Sequence, residues 1–491
     1  MTKNKNESKA LVKASFKPAD CKVGVIHIGV GNFHRAHQAV YFNNILKNAS
    51  SHNWGIAGIN LRKENSKLIM NLKKSNNQYI LKTISASGEA KHEEIKSIIE
   101  LYDWESDERK IQHLFSSSNV QLVTTTVTES GYYFDKDKQL KITTKDIQND
   151  LNGGMPITVF GALAKGLRVR MESNGLPITI ACCDNIQENG AMLKQCFNQY
   201  LNESGDEALL NWVSKNVSFP SSMVDRITPK VNAQELLKIQ ESFNRSDDCS
   251  VVSEDFIQWV IEDKFSGKKP PLSSVGVEIV NDIEPYENTK IRILNGGHTA
   301  LAYLGVLRGH ETYDLALSDP ELSDFFDSIQ TKEIISSLPR EASINYLDYL
   351  STTKRRFGNQ NLPDSLSRIC MDGGSKFPIF LLPVVEWHLS KGEVPEFSLK
   401  AIASWYIFLC QVITNKVSFE YVEPKWSMLT PFLVEGGELG FATDSELWGD
   451  IPQKYPDFVD GIIKEIQEMK EKYQINFFKM FLGLCEESNF G

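Results

Sequence analysis

A lysine, an asparagine and a histidine stand close together in KIRILNGGHTALAY, residues 290–303. Read as an α-helix of 3.6 residues per turn, this stretch puts Lys290, Asn295 and His298 within one arc of roughly 140°. The opposite arc carries Ile293, Ala300, Leu301 and Leu304, which suits a core face. A lysine that loses its proton in a desolvated pocket is a general base. An asparagine amide donates to a developing alkoxide. A neutral imidazole donates or accepts, and so fixes a hydroxyl. The same residues also fit a plain amphipathic helix with its polar side in water, so the stretch has to be weighed with the rest of the chain.

A second set of residues opens the ordered part. Val23 to Ile28 is a short apolar, β-branched run of the kind that forms a buried parallel strand. It leads into Gly29-Val30-Gly31-Asn32-Phe33-His34 and then into a helical pattern through Ala36, Ala39, Val40 and Phe42. Strand, glycine turn and helix form the arrangement in which backbone approaches a pyrophosphate. The third glycine of that pattern is replaced by His34. Basic groups at a helix start are unfavourable without an anion, so His34, Arg35 and His37 point to a phosphate nearby. Residues 54–60 read as the second strand, whose tip meets a ribose in such folds. Here the tip is Arg62-Lys63-Glu64: Arg62 suits a 2′-phosphate and Glu64 suits ribose hydroxyls, so NAD and NADP both stay open.

Further strands are expected within 78–101, over 121–128, 177–183 and 275–280, and a helix over 156–173. Thr128 and the turn after it, Glu129 to Tyr132, lie where a cofactor rests at a carboxyl strand end. Asp184 and Asn185 follow the strand at 177–183 directly, placed either for a site or to cap the next helix. Asp225 and Arg226 are spaced for an ion pair. From about 286 long helical patterns dominate, at 295–309, 317–335, 376–392, 396–415 and 455–485. Arg368 and Lys376 flank a Gly-Gly pair read as a turn. The expected fold is α/β: a polar tail over 1–20, a Rossmann-like domain with insertions over 21–285, and a mainly helical domain over 286–491.

The totals narrow the function classes. With 491 residues, more than one domain is expected. There are 53 Lys+Arg against 63 Asp+Glu, a formal net charge of -10, which argues against nucleic acid or an anionic membrane as the main partner. No run approaches the ~20 apolar residues of a membrane span. The N-terminus lacks the apolar stretch of a secretory signal. Eight cysteines, Cys21, Cys182, Cys183, Cys196, Cys249, Cys370, Cys410 and Cys485, give no CxxC pair and no zinc spacing. Scattered thiols in a reducing cytoplasm account for them.

Taken together, GVIHIGVGNFHRAHQAVY, VTESGYY, ACCDNIQENG, MVDRITP, EDFIQWVIED, PYENTKIRILNGGHTALAYLG and RICMDGGSKFP resemble the mannitol dehydrogenase family, the polyol-specific long-chain dehydrogenases. They occur in the family's order over roughly residues 22–380. The resemblance implies an oxidoreductase that moves hydride between a polyol or keto-sugar and a nicotinamide cofactor, NAD with NADP open, without metal. It implies a Rossmann-like domain, a helical domain and an active site in the cleft between them. Lys290 matches the general base, Asn185 and Asn295 the alkoxide-stabilising pair, His298 the substrate-orienting histidine, and Glu287 an acid that assists proton exit. Asp225, Arg368 and Lys376 match substrate contacts; Gly29, Gly31, Asn32 and Phe33 match the cofactor turn. A cytoplasmic monomer or small homo-oligomer is expected.

The chain departs from the family pattern at Gly297, where serine is usual, and at Arg62-Lys63-Glu64, which is less acidic than in NAD-preferring members. D-mannitol with D-fructose is the expected substrate pair. Fructuronate or tagaturonate reduction and D-arabinitol 4-dehydrogenation are alternatives within the family. A non-catalytic nucleotide-binding sensor is the alternative of another class, against which the full set of Lys290, Asn185, Asn295 and His298 argues.

Overall fold

The computed structural model describes residues 10–135, 137–245, 248–341 and 343–475. The chain divides into two compact units, Met1–Glu284 and Pro285–Gly491.

The first unit is built on six parallel strands: β1 (Val23–Ile28), β2 (Gly55–Asn60), β3 (Ile98–Asp103), β4 (Leu122–Thr125), β5 (Ile178–Cys182) and β6 (Val217–Ser218). Their order across the sheet is β3-β2-β1-β4-β5-β6, the doubly wound dinucleotide-binding order. The four central strands β1, β2, β4 and β5 are almost wholly buried, as expected of strands covered on both faces. β1 runs beside both β2 and β4, so the tips of all three end at one edge. Arg170, on the helix Val159–Ser173, ties two strand entries together. Its guanidinium donates to the carbonyls of Phe115, Ser117, Val120, Leu176 and Pro177 at 2.8–3.2 Å. Burial lowers its pKa to about 10, so it keeps its charge at neutral pH.

Two smaller sheets flank this core. One joins Leu11–Val12, Ala90–Ile95, Tyr79–Ile84 and Val251–Glu254; the other joins Ser222–Asp225, Gln258–Glu262 and Glu278–Val280. The polar tail expected over 1–20 is therefore anchored from Leu11, which pairs with His92, and Phe16 is buried. Residues 1–9 lie outside the described residues. The strand expected over 275–280 begins only at Glu278, because Leu272–Val275 forms a 3-10 turn that ends at Gly276 with φ +91°.

The second unit is helical. Its core helix, Glu396–Ile413, has twelve buried residues and packs against Gly297–Leu307 and Pro456–Lys472. By length and composition it is apolar enough to cross a membrane, yet 67% of it is buried within the fold. The pattern expected over 455–485 forms a helix to Lys472; residues from 476, Cys485 included, lie outside the described residues. The other seven cysteines are free thiols.

Arg170→Met removes the donor for five carbonyls while filling much of the volume. The expected loss is at least about 3 kcal/mol, because buried acceptors are left unpaired. Urea unfolding checks it: a midpoint within error of wild type would show that the clamp contributes nothing.

Candidate functional site

In the first unit a cavity of about 540 Å³ opens at the carboxyl ends of β1, β2 and β4. Gly29, Gly31, Asn60, Arg62, Thr126, Thr128 and Tyr133 are among its lining residues. A Cβ on Gly29 would lie 2.0 Å from the Thr126 carbonyl oxygen, and its φ is +100°. The turn therefore needs glycine there on two counts. Gly31 has nothing within 4 Å of a Cβ position, so bare backbone faces open space. That is the cradle a pyrophosphate requires, and the lining fits a dinucleotide. The floor is fixed by Asp184. Its carboxylate accepts from the Val127 and Thr128 N–H groups, both at 2.9 Å, and from the Tyr132 hydroxyl at 2.6 Å. Thr128 is held there in a left-handed φ of 66°.

Several expectations around this cavity change. His34, Arg35 and His37 do not line the cavity; all three are buried. His34 stacks on His27 with centroids 3.4 Å apart, and burial drives both imidazoles to the neutral form, His27 to about 3. Arg35 donates to the carbonyls of Gly31 and Cys249 and to Asn32. His37 bonds the Gln258 carbonyl at 2.8 Å and interrupts the helix, leaving Asn32–Ala36 and Gln38–Ile45. Arg35 and His37 are turned inward onto backbone carbonyls and His34 onto the His27 ring, which local charge patterning does not reveal. Asn32 and Phe33 do not line the cavity, and Glu64 is absent from its wall while Asn65 is present. Neither Asp184 nor Asn185 caps the next helix, which starts at Asn189; Asn185 is exposed just beyond β5. Asp225 is buried at the end of its strand. Arg226 donates to the carbonyls of Ala36 and Glu254.

In the second unit the stretch expected as one α-helix is broken into two windings. Lys290–Gly296 is a π-helix and Gly297–Leu307 an α-helix. The 3.6-residue wheel therefore does not apply to Lys290 and Asn295. An i→i+5 winding returns position 295 to nearly the side of 290, closer than an α-helix does. Gln330, which sequence reading missed, bonds into this winding. Its Nε2 donates to the Ile293 carbonyl at 2.7 Å, the acceptor that the Gly297 N–H would use in an α-helix. That N–H turns to Leu294 instead. A Cβ on Gly297 would lie 1.9 Å from Gln330 Nε2, so the glycine found here in place of serine leaves room for this amide. The expected core face holds: Ile293, Ala300 and Leu301 have no exposure and Leu304 has 4%.

Lys290 and Glu287 are both buried, at 8% and 3% exposure. His298 stacks on Phe357 with centroids 4.4 Å apart and meets the edge of Tyr313 at 4.5 Å. Burial lowers its pKa to about 3, against the pull of Asp364. Its Nε2 is buried without a hydrogen-bond partner among the described residues; Asp364 Oδ2 is 3.8 Å away, beyond bonding range. Asp364, also unforeseen, instead binds Arg368, accepting from its Nε at 2.9 Å. Lys376 donates to the Ile369 carbonyl at 2.7 Å, and burial lowers its pKa. The Gly-Gly pair is no turn. It opens the helix Gly373–Phe380, where a Cβ on Gly373 would lie 2.4 Å from Trp405 Nε1. Asp372 takes the positive φ, at 57°. Among the described residues no group of His, Cys, Asp or Glu is placed to hold a metal ion.

A doubly wound dinucleotide fold followed by a helical unit with a buried lysine, amide and neutral imidazole defines a class of nicotinamide-dependent oxidoreductases. Residues 23–274 match the mannitol dehydrogenase Rossmann domain and 282–470 the mannitol dehydrogenase C-terminal domain. The chain belongs to the mannitol dehydrogenase family. It is 32% identical to mannitol 2-dehydrogenase of Cereibacter sphaeroides over 91% of this chain and 94% of that one. It is also 32% identical to D-arabinitol 4-dehydrogenase of Klebsiella pneumoniae, over 87% and 94%. The solved ternary complex of Pseudomonas fluorescens mannitol 2-dehydrogenase with NAD and D-mannitol superposes with a TM-score of 0.81 at 30% identity, covering 97% of each chain.

Gly297→Ser and Gln330→Ala remove the same bond, so their costs are not additive. Each is expected to lose about 1–3 kcal/mol, and the double variant about as much as the worse single one. Additive losses in urea unfolding would separate the two residues. A second expectation concerns acid. Unfolded, His27 and His298 take a proton near the ordinary 6.5; folded, only near 3. Between those values the unfolded chain binds more protons, so stability falls as pH falls. Melting temperature should drop from neutral pH towards about pH 4, with a flatter slope in His298→Gln; an equal slope would show that His298 does not contribute.

Proposed function

We propose that this protein is an NAD-dependent polyol dehydrogenase that interconverts D-mannitol and D-fructose. The observation that carries the reading is the π-winding that turns Lys290 and Asn295 to nearly one side, with a neutral His298 one turn past Asn295. In oxidation Lys290 takes the hydroxyl proton as the carbinol C–H bond breaks. Asn295 donates to the developing alkoxide, and Asn185 is assigned the second such amide. His298, with Nε2 open, holds a substrate hydroxyl, and Glu287 assists proton exit from Lys290. Asp225, Arg368 and Lys376 are assigned contacts to the other hydroxyls. Bound NAD supplies the hydride acceptor. Gly29, Gly31, Arg62 and Thr128 line the cavity assigned to it; Asn32, Phe33 and Glu64 are assigned supporting positions around it.

Two observations favour a neutral polyol over a sugar acid. Arg368 is paired with Asp364, and Lys376 is bound to a backbone carbonyl, so neither is poised for a substrate carboxylate. D-arabinitol is the second substrate to test, because the Klebsiella enzyme is as similar as the mannitol enzymes.

Lys290→Ala is expected to lower turnover of mannitol or fructose by roughly 10²–10⁴-fold, the usual worth of a general base, while NADH still binds. Absorbance of the reduced nicotinamide reads the first and fluorescence titration the second. Turnover near wild type would remove Lys290 from the mechanism. Wild-type protein that binds NADH yet turns over no polyol or keto-sugar would leave only a nucleotide-binding role.

A further inference from the structure

The departure at Arg62-Lys63-Glu64 has a structural counterpart on the cavity wall. Arg62 follows β2, where the ribose of a dinucleotide lies in folds of this strand order. Its guanidinium faces a carboxylate from outside the parallel sheet. Nη1 is 2.9 Å from Asp146 Oδ2, on the helix Lys145–Leu151. Nη2 donates to the Tyr133 hydroxyl, and that hydroxyl donates to the same Asp146 oxygen. One carboxylate oxygen thus closes a ring of three side chains. The Tyr133 hydroxyl and Arg62 hold the Asp146 carboxyl below the ordinary range despite partial burial, so it stays charged at neutral pH. A second carboxylate adjoins. Asp103, at the end of β3, accepts from Asn60 Nδ2 at 3.2 Å and from Ser66 at 2.6 Å. Asn60 also donates to the Arg62 carbonyl at 2.8 Å, which fixes the backbone that carries the arginine.

The guanidinium on this part of the cavity wall is therefore already neutralised by one acid behind it, and a second acid bonds the neighbouring Asn60. A 2′-phosphate needs the arginine fork and brings close to two negative charges. It has to displace Asp146 from Arg62 and then lie near that carboxylate. A 2′-hydroxyl has no such need. We propose that the Arg62–Tyr133–Asp146 ring selects the coenzyme, with Asp146 holding Arg62 away from a 2′-phosphate and so favouring NAD over NADP. The inference rests on the dinucleotide reading of the cavity and names its selectivity device. Arg62 alone reads as an NADP residue; its partner reverses that meaning.

The test is fluorescence titration of NADH and NADPH against the full chain, in wild type, Asp146→Asn, Asp146→Ala and Asp146→Ala with Arg62→Ala. Wild type should bind NADH at least about tenfold tighter than NADPH, the scale of one charge contact made or lost. Both Asp146 variants should raise the ratio of NADPH to NADH affinity by about tenfold, and Arg62→Ala should cancel that gain. A ratio unchanged in both Asp146 variants overturns the proposal, as does a wild-type preference for NADPH. Binding of NADH with no response to Asp146 sinks the ring and leaves the dinucleotide reading intact. Binding of neither coenzyme to correctly folded wild type, checked by circular dichroism, overturns both.

Discussion

The Ile293 carbonyl is bonded from outside its own helix. In an α-helix it would close a turn with the Gly297 N–H; here the Gln330 amide takes that place. The exchange widens the winding over Lys290–Gly296, and the geometry of the helical unit's polar cluster follows. Single-turn π segments carry an energetic cost and persist where surrounding structure enforces them. The enforcement is visible on every side. Gln330 is fully buried, the Tyr313 hydroxyl donates to the Gly297 carbonyl, and Tyr303 donates to Cys370. That last bond attaches the segment bearing Arg368 and Lys376 to the helix that continues from the π turn.

The dinucleotide half solves its positioning problem by different means. Strand order brings the tips of β1, β2 and β4 to one edge, but tips alone leave loops free to move. Asp184 removes that freedom on one side by taking two consecutive N–H groups of the loop after β4. Burial raises its pKa against the lowering effect of those donors and of the Tyr132 hydroxyl. Asn60 and the Arg62 ring do the same work on the other side. In both places a carboxylate fixes backbone or a cation beside a cavity assigned to an anion. Its own charge is satisfied locally and does not contest the pyrophosphate region.

The sequence made some of this legible and hid the rest for identifiable reasons. β1, β2, β4 and β5 were readable because a buried parallel strand has a local signature: four to six β-branched or small apolar residues ended by glycine or a polar turn. The core face of residues 293–304 was readable from periodicity. The resemblance to the family carried the site residues, since no local pattern separates a catalytic lysine from an ordinary one. What stayed hidden depends on partners distant in the chain. Gln330 acts on Ile293 from 37 positions away, and Asp146 changes the meaning of Arg62 from 84 positions away. The basic run His34-Arg35-His37 looked like an anion site because charge in a sequence carries no direction; folded, Arg35 and His37 point at carbonyls and His34 at the His27 ring. The helices Trp104–Ser116 and Tyr346–Phe357 went unread because charged and polar residues dilute their apolar stripe.

The protonation states around His298 bear on which group accepts the proton in the proposed reaction. Asp364 is close enough to attract a proton onto the imidazole, but it is bound to Arg368, and its oxygen stands 3.8 Å from Nε2. Arg368, Lys376 and Arg356 further disfavour an imidazolium, and burial outweighs all of these. A ring held to about 3 remains neutral through the physiological range. It then offers either a donor or an acceptor to a hydroxyl, according to tautomer, and it is too weak a base to compete for the proton that alcohol oxidation releases. In the proposed reaction the neutral imidazole, eight residues beyond Lys290, is suited to hold the substrate still while the proton leaves.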